Sequence, residues 1–219
     1  MKPRAVVFDA YGTLFDVHSV VTRSTNIIED LSALSVLWRQ RQLEYTWLRA
    51  LMERHEDFWN VTETALRSAV RQLHIRIDDT QLNMLMEAYL LPSAFQDVKP
   101  GLESLKQLPM VILSNGSTKM LESAVRHNGL GAFFTEIISV DRVRTYKPSP
   151  RVYSLGTQSL HLPASEILFV SSNSWDGSGA KACDYKVCWC NRSNEEIAFL
   201  EGVPDLTVTR LNQIVSHLG

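Results

Sequence analysis

Much of what commonly betrays a protein's role is missing from this chain. Its 219 residues carry 24 acidic side chains against 22 lysines and arginines, a formal net charge of -2. There is no basic surplus of the kind that draws a protein to nucleic acid or to an anionic membrane surface. No apolar run approaches the roughly 20 residues that a membrane-spanning helix needs. An apolar strand begins by residue 5, which leaves no room for a signal peptide, and a cytoplasmic location is the default expectation. Cysteine is scarce: Cys183, Cys188 and Cys190 are the only three. Cys188 and Cys190 alternate with Trp189 on an expected strand and so share one face. No histidine stands beside them to complete a zinc set, and buried free thiols in a reducing compartment are expected. The six histidines are scattered and form no metal-type pair. Repeats and low-complexity tracts are absent too. The most telling absence is of an acid at position 11.

What is present begins just before that position. Val6, Val7 and Phe8 run straight into Asp9, and Gly12 lets the chain turn tightly after it. A short apolar run of this kind reads as a fully buried parallel strand. In open α/β sheets the ligand sits at the carboxyl ends of strands, so Asp9 stands where chemistry occurs. The ordinary alternative is an acid that merely caps a turn.

From about Asp16 to Phe95 there is no convincing strand. Leu31–Trp59 carries Leu34, Leu37, Trp38, Tyr45, Leu48, Leu51, Met52 and Phe58 at spacings that suit one long helix. Helical periodicity continues over Thr62–Leu73 and Asp79–Leu91, with Thr62 and Asp78 or Asp79 as N-caps. Pro92 and Pro100-Gly101 punctuate the return. Beyond residue 101 short apolar strands alternate with helices: Val111–Leu113, Ile137–Val140, Ile167–Val170, Lys186–Cys190 and Leu206–Thr209 are the strands. This alternation predicts an α/β fold with a Rossmann-like parallel sheet. The division expected is a core of residues 1–15 and 96–219 with a helical cap of residues 16–95 inserted into it, and a cleft between them.

Three later strands end in polar residues. Ser114-Asn115 follows the second, Asp141 and then Lys147 follow the third, and Ser171-Ser172-Asn173 with Asp176 follow the fourth. In a parallel sheet these ends share an edge with Asp9. Serine, asparagine and aspartate after strands are often simple helix caps. A lysine at a strand exit has no such use, and the four together point to a site.

The set Asp9 with Thr13, Ser114, Lys147 and Asp176 resembles the four motifs of the haloacid dehalogenase superfamily. The stretches Phe8–Ser19, Leu37–Arg49, Ile112–Gly116, Tyr146–Pro148 and Phe169–Asp176 more narrowly resemble the L-2-haloacid dehalogenases. Against that pattern the connections Asn26–Ser32 and Leu105–Met110 are compact. The superfamily's phosphatases carry a second acid two residues after the nucleophile, to protonate the leaving group. Tyr11 fills that place here, and a departing halide needs no proton. The stretch Ser171–Asp176 holds a single acid, too few carboxylates for magnesium, so neither metal nor cofactor is expected.

The resemblance implies an aspartyl ester on Asp9, hydrolysed by water that Asp176 activates, with Lys147 supplying positive charge. It implies that Ser114 and the backbone N–H groups of Ala10, Tyr11 and Asn115 hold a substrate carboxylate. Arg39 would receive the halide with Asn115, and Tyr11, Leu43, Phe58 and Trp175 would form an apolar wall. Tyr153 resembles the family's supporting tyrosine, while Ser171 and Asn173 would position Lys147, Asp176 and the water. The implied substrate is a short (S)-2-haloalkanoic acid, and the implied assembly is a homodimer. A small-molecule phosphatase and a non-catalytic binding protein are the alternatives.

Overall fold

A computed structural model describes residues 2–22, 31–196 and 199–218. Its centre is a six-stranded parallel sheet ordered β5-β4-β1-β6-β7-β8. The strands are β1 (Ala5–Phe8), β4 (Met110–Ser114), β5 (Glu136–Ser139), β6 (Ile167–Ser171), β7 (Lys186–Cys190) and β8 (Leu206–Val208). Every residue of β1, β4 and β6 is buried, which is why these segments read as continuous apolar runs with no alternation. Val7 lies between Val111 and Phe169 in the register. The chain builds outward from β1 to β5, then returns to build from β6 to β8. The order therefore reverses beside β1, and a crevice opens at the carboxyl ends of β1 and β6.

Between β1 and β4 lie two very short strands, β2 (Phe15–Asp16) and β3 (Ser93–Ala94), and helices α1 (Ser19–Thr22), α2 (Leu31–Leu51), α3 (Phe58–Gln72) and α4 (Asp79–Ala88). Helix α5 (Val98–Ser104) leads to β4, and α6 (Thr118–His127) follows it. Helices α7 (Pro150–Leu160) and α8 (Ser174–Lys181) flank β6 in sequence. The buried apolar side chains of sheet and helices form one continuous cluster.

Four expectations from the sequence need correction. The single helix over Leu31–Trp59 is two: α2 stops at Leu51, and Glu53 takes a left-handed conformation in the turn that follows. The polar run Glu53–Asp57 has no apolar face to bury, and Asp57 restarts the helix by accepting from the Trp59 N–H at 2.7 Å. Thr62 is consequently no cap. It lies buried inside α3 and donates to the Phe58 carbonyl at 2.6 Å. Asp78 does cap α4, in a reciprocal capping box with Gln81.

The stretch thought free of strands begins and ends in β2 and β3, which pair antiparallel with Phe15 opposite Ala94. Two residues are too few to display a period. Pro100-Gly101 lies inside α5, where proline in the first turn forfeits no helical bond. Gly101 is needed there because a Cβ would stand 2.7 Å from the Leu211 side chain. The final segment, Leu211–His217, is a 3-10 helix. Most of Asn26–Ser32 lies outside the described residues. Cys188 and Cys190 are buried and all three thiols are free, with Cys183 half-buried.

Candidate active site

Asp9 directly follows β1 and is buried, yet its carboxylate is well supplied with donors. Oδ1 accepts from the Lys147 ammonium at 3.0 Å. Oδ2 accepts from the Thr13 hydroxyl at 2.8 Å and from the Asn173 amide at 2.9 Å, while Ser171 Oγ stands 3.5 Å away. Thr13 reaches back because Gly12, at φ +89°, turns the chain so that the Leu14 and Phe15 N–H groups both bond to the Ala10 carbonyl. The Thr13 oxygen also accepts from the Ser172 N–H at 2.8 Å, tying the ends of β1 and β6 together.

Lys147 is fully buried, and its ammonium lies between two carboxylates: Asp176 Oδ2 is 2.9 Å from Nζ. The Phe169 ring lies 5.0 Å from the same nitrogen. Asn115 at the exit of β4 accepts from the Lys147 backbone N–H at 2.9 Å, and so anchors the lysine loop. Burial works against the Lys147 ammonium, but Asp176 and Asp9 outweigh it and hold its pKa above the ordinary lysine value. Burial pushes the Asp176 carboxyl up, to about 6, with Asp9 adding to the rise and Lys147 opposing it. Tyr153, kept protonated chiefly by burial, donates to Asp176 Oδ1 at 2.8 Å. Ser171 Oγ accepts from the Asn173 N–H at 3.1 Å and so shapes the turn that aims Asn173 at Asp9.

On the other flank, Ser114 ends β4 and its hydroxyl accepts from the Gly116 N–H at 3.2 Å. Tyr11 lies flush against that glycine: a Cβ there would fall 2.7 Å from the tyrosine ring. The Tyr11 ring also packs 6.0 Å from Phe58 and 5.6 Å from Tyr89, with its buried hydroxyl unpaired. Arg39 descends from α2, and its Nη2 reaches the Tyr11 carbonyl at 3.3 Å. Leu43, one turn further along α2, joins Arg39, Gly12 and Asn173 in lining a cavity of about 300 Å³. Ala10 is buried beneath the turn.

Asp9, Thr13, Lys147, Tyr153, Ser171, Asn173 and Asp176 thus form one hydrogen-bonded cluster. Ser114, Asn115, Tyr11, Arg39, Leu43 and Phe58 border it. Trp175 stands apart. It packs edge-to-face on Trp47 at 5.5 Å and lines a separate apolar groove with Pro148 and Leu200. Among the described residues no three His, Cys, Asp or Glu side chains converge as a metal site. The two facing carboxylates are spanned by an ammonium instead, a donor set that does not suit magnesium.

Sequence reasoning passed over Gln42, the Ser172 N–H, Phe169 and Gly179. Gly179 had no readable signal, because its use appears only in three dimensions. A Cβ at that position would lie 2.3 Å from the Tyr153 hydroxyl and 2.8 Å from Pro148.

A parallel α/β sheet with a buried acid–ammonium–acid cluster at its reversal point defines the class, a Rossmann-like hydrolase core. Within that class the chain belongs to the haloacid dehalogenase-like hydrolases, whose family model matches residues 3–184. It is 45% identical to the (S)-2-haloacid dehalogenase of Pseudomonas sp. (strain YL), over 97% of this chain and 93% of that one. It is 43% identical to haloacetate dehalogenase H-2 of Moraxella sp. (strain B), over 99% and 98% of the two chains. The L-2-haloacid dehalogenase from Xanthobacter autotrophicus, solved with chloropropionic acid covalently bound, superposes with a TM-score of 0.91. It shares 36% identity with this chain, over 99% of this chain and 98% of that one.

Gly179→Ala is expected to displace the Tyr153 hydroxyl and to lower turnover by roughly a hundredfold, the cost of a misplacement near 1 Å. Turnover within about threefold of wild type, in a variant melting at the wild-type temperature, would show that Asp176 does not depend on Tyr153 for its placement.

Proposed function

We propose that this protein hydrolyses short (S)-2-haloalkanoic acids to halide and the (R)-2-hydroxy acid through an ester on Asp9. The observation that carries the reading is a buried Asp9 held by Lys147, Thr13 and Asn173, with Tyr11 and not an acid two residues on. Full-length likeness to (S)-2-haloacid dehalogenases supports it.

An Asp9 oxygen attacks the carbon bearing the halogen from the face opposite the leaving group. The carbon–halogen bond breaks, its electrons leave with the halide, and the carbon inverts. Water then attacks the carbonyl carbon of the new ester, and Asp176 takes its proton. The bond from that carbonyl carbon to the substrate's oxygen breaks, that oxygen takes the proton back from Asp176 and the hydroxy acid leaves, while the second proton of the water passes to solvent and Asp9 is a carboxylate again. Ser114 and the N–H groups of Ala10, Tyr11 and Asn115 hold the substrate carboxylate. Arg39, with Asn115, receives the halide: its guanidinium is always charged and weakly hydrated, which suits a partly buried anion site. Tyr11, Leu43 and Phe58 exclude water during the attack.

In this reading residues 16–95 form the cap over a core of residues 1–15 and 96–219, with the β2–β3 pair at the seam. Two molecules associate as a homodimer, supported by the exposed Leu48, Leu51 and Met52 toward the end of α2. The three free thiols support a cytoplasmic location. Among the described residues no helix is long and apolar enough to cross a membrane.

Chloride release from (S)-2-chloropropanoate in the presence of EDTA is the expected activity. A single turnover in heavy-oxygen water should leave the label on Asp9 and not in the product. Label in the first-turnover product would rule out the ester. Because Asp176 must be ionised to act as base, its raised pKa predicts that ester hydrolysis is lost as pH falls through about 6. A rate that is flat down to about pH 5 would remove Asp176 from that role. Light scattering should give twice the 24.8 kDa chain mass; a monomer at working concentration would refute the dimer.

A further inference from the structure

Gln42 lies on α2 three residues after Arg39, on the same side of the helix, and is fully buried. An amide buried among apolar side chains is costly unless its polar atoms are matched. Here they are matched in a way that leaves the amide one orientation. The Thr62 hydroxyl spends its proton on the Phe58 carbonyl at 2.6 Å, so its oxygen is left to accept. It accepts from Gln42 Nε2 at 2.7 Å. Gln42 Oε1 must then face away from α3, and there it accepts from Arg39 Nη1 at 2.7 Å and from the Tyr89 hydroxyl at 3.0 Å. Both lone pairs of that oxygen are used.

The string runs from the backbone of α3, through α2, to the residue that closes α4, and it ends on the guanidinium whose other nitrogen reaches the Tyr11 carbonyl. Packing alone gives no reason for it. Leu34, Trp38, Val61, Ala65 and Leu66 already bury an apolar face between α2 and α3. A glutamate in the same place would pair with Arg39, cancel its charge and leave the Thr62 oxygen without a donor. A neutral amide orients the guanidinium and leaves its charge to act on an anion.

We propose that Gln42 is a positioning residue, which with Thr62 and Tyr89 holds the Arg39 guanidinium at the angle at which its remaining N–H groups meet the departing halide. The inference rests on the halide-receiving role given to Arg39 above.

The test compares (S)-2-chloropropanoate with (S)-2-bromopropanoate, since chloride leaves less readily and depends more on the guanidinium. Gln42→Met is expected to lower kcat on the chloro acid by roughly tenfold to a hundredfold, with a smaller loss on the bromo acid and little change in KM. Single-turnover hydrolysis of the Asp9 ester should proceed at the wild-type rate. In an Arg39→Lys background the Gln42 substitution should add nothing. Gln42→Glu, which keeps the volume, should show the same selective loss.

Equal losses on both acids, slowed ester hydrolysis, or full additivity with Arg39→Lys would each overturn the proposal. Should Gln42→Met fail to fold, Thr62→Val removes only the hydroxyl that orients the amide, and the same selective loss is required of it. A wild-type protein that releases neither halide refutes the dehalogenase reading itself. An active wild type with variants blind to the halogen refutes only the role of Gln42.

Discussion

The whole sheet edge depends on one buried ammonium. Lys147 Nζ lies 3.0 Å from Asp9 and 2.9 Å from Asp176, and none of the three groups has appreciable contact with solvent. Two carboxylates that close in a poorly polarisable interior repel strongly, and only a cation between them makes the arrangement tolerable. Such a cluster adds little to stability on balance, because stripping water from three charges costs about as much as their attraction returns. It is kept for what it enables. The lysine is in turn held through its own backbone by Asn115, so the exit of β4 fixes the charge that β1 and α8 share.

The two acids are made unlike by their surroundings. Asp9 takes donors from three separate elements on its two oxygens. Asp176 is sealed inside, and burial lifts its carboxyl to about 6. In the proposed reaction the first is the attacking group and the second the proton acceptor, two uses of one residue type. Tyr153 sets the direction of the second, and Gly179 leaves Tyr153 the room to do so.

The sheet was legible in the sequence because its inner strands are buried on both faces and so appear as unbroken apolar runs. Their polar exits were legible because parallel strands place all carboxyl ends on one edge. The helical layer was harder. Two helices that bury faces in similar phase look like one, and only Asp57 before Phe58 marks the restart. Thr62 reads as a cap by residue type but acts as an acceptor inside a helix. Gln42 could have been suspected from its spacing to Arg39, although its partners Thr62 and Tyr89 are distant in sequence. Trp175 adjoins Asp176 in the chain, yet its ring turns toward Trp47; adjacency along a helix start does not fix which wall a side chain joins.

The β2–β3 ladder, two residues against two, pins Phe15–Asp16 beside Ser93–Ala94. The helical layer thus departs from and rejoins the sheet at a single point. A closed loop of this kind can lengthen at slight cost, because doubling a flexible loop adds only about 0.6 kcal/mol of closure entropy. Insertions and deletions between those four residues leave the strand order, and the triplet of charges beneath it, undisturbed. The helical layer can therefore vary without rebuilding the sheet edge that carries the three charges.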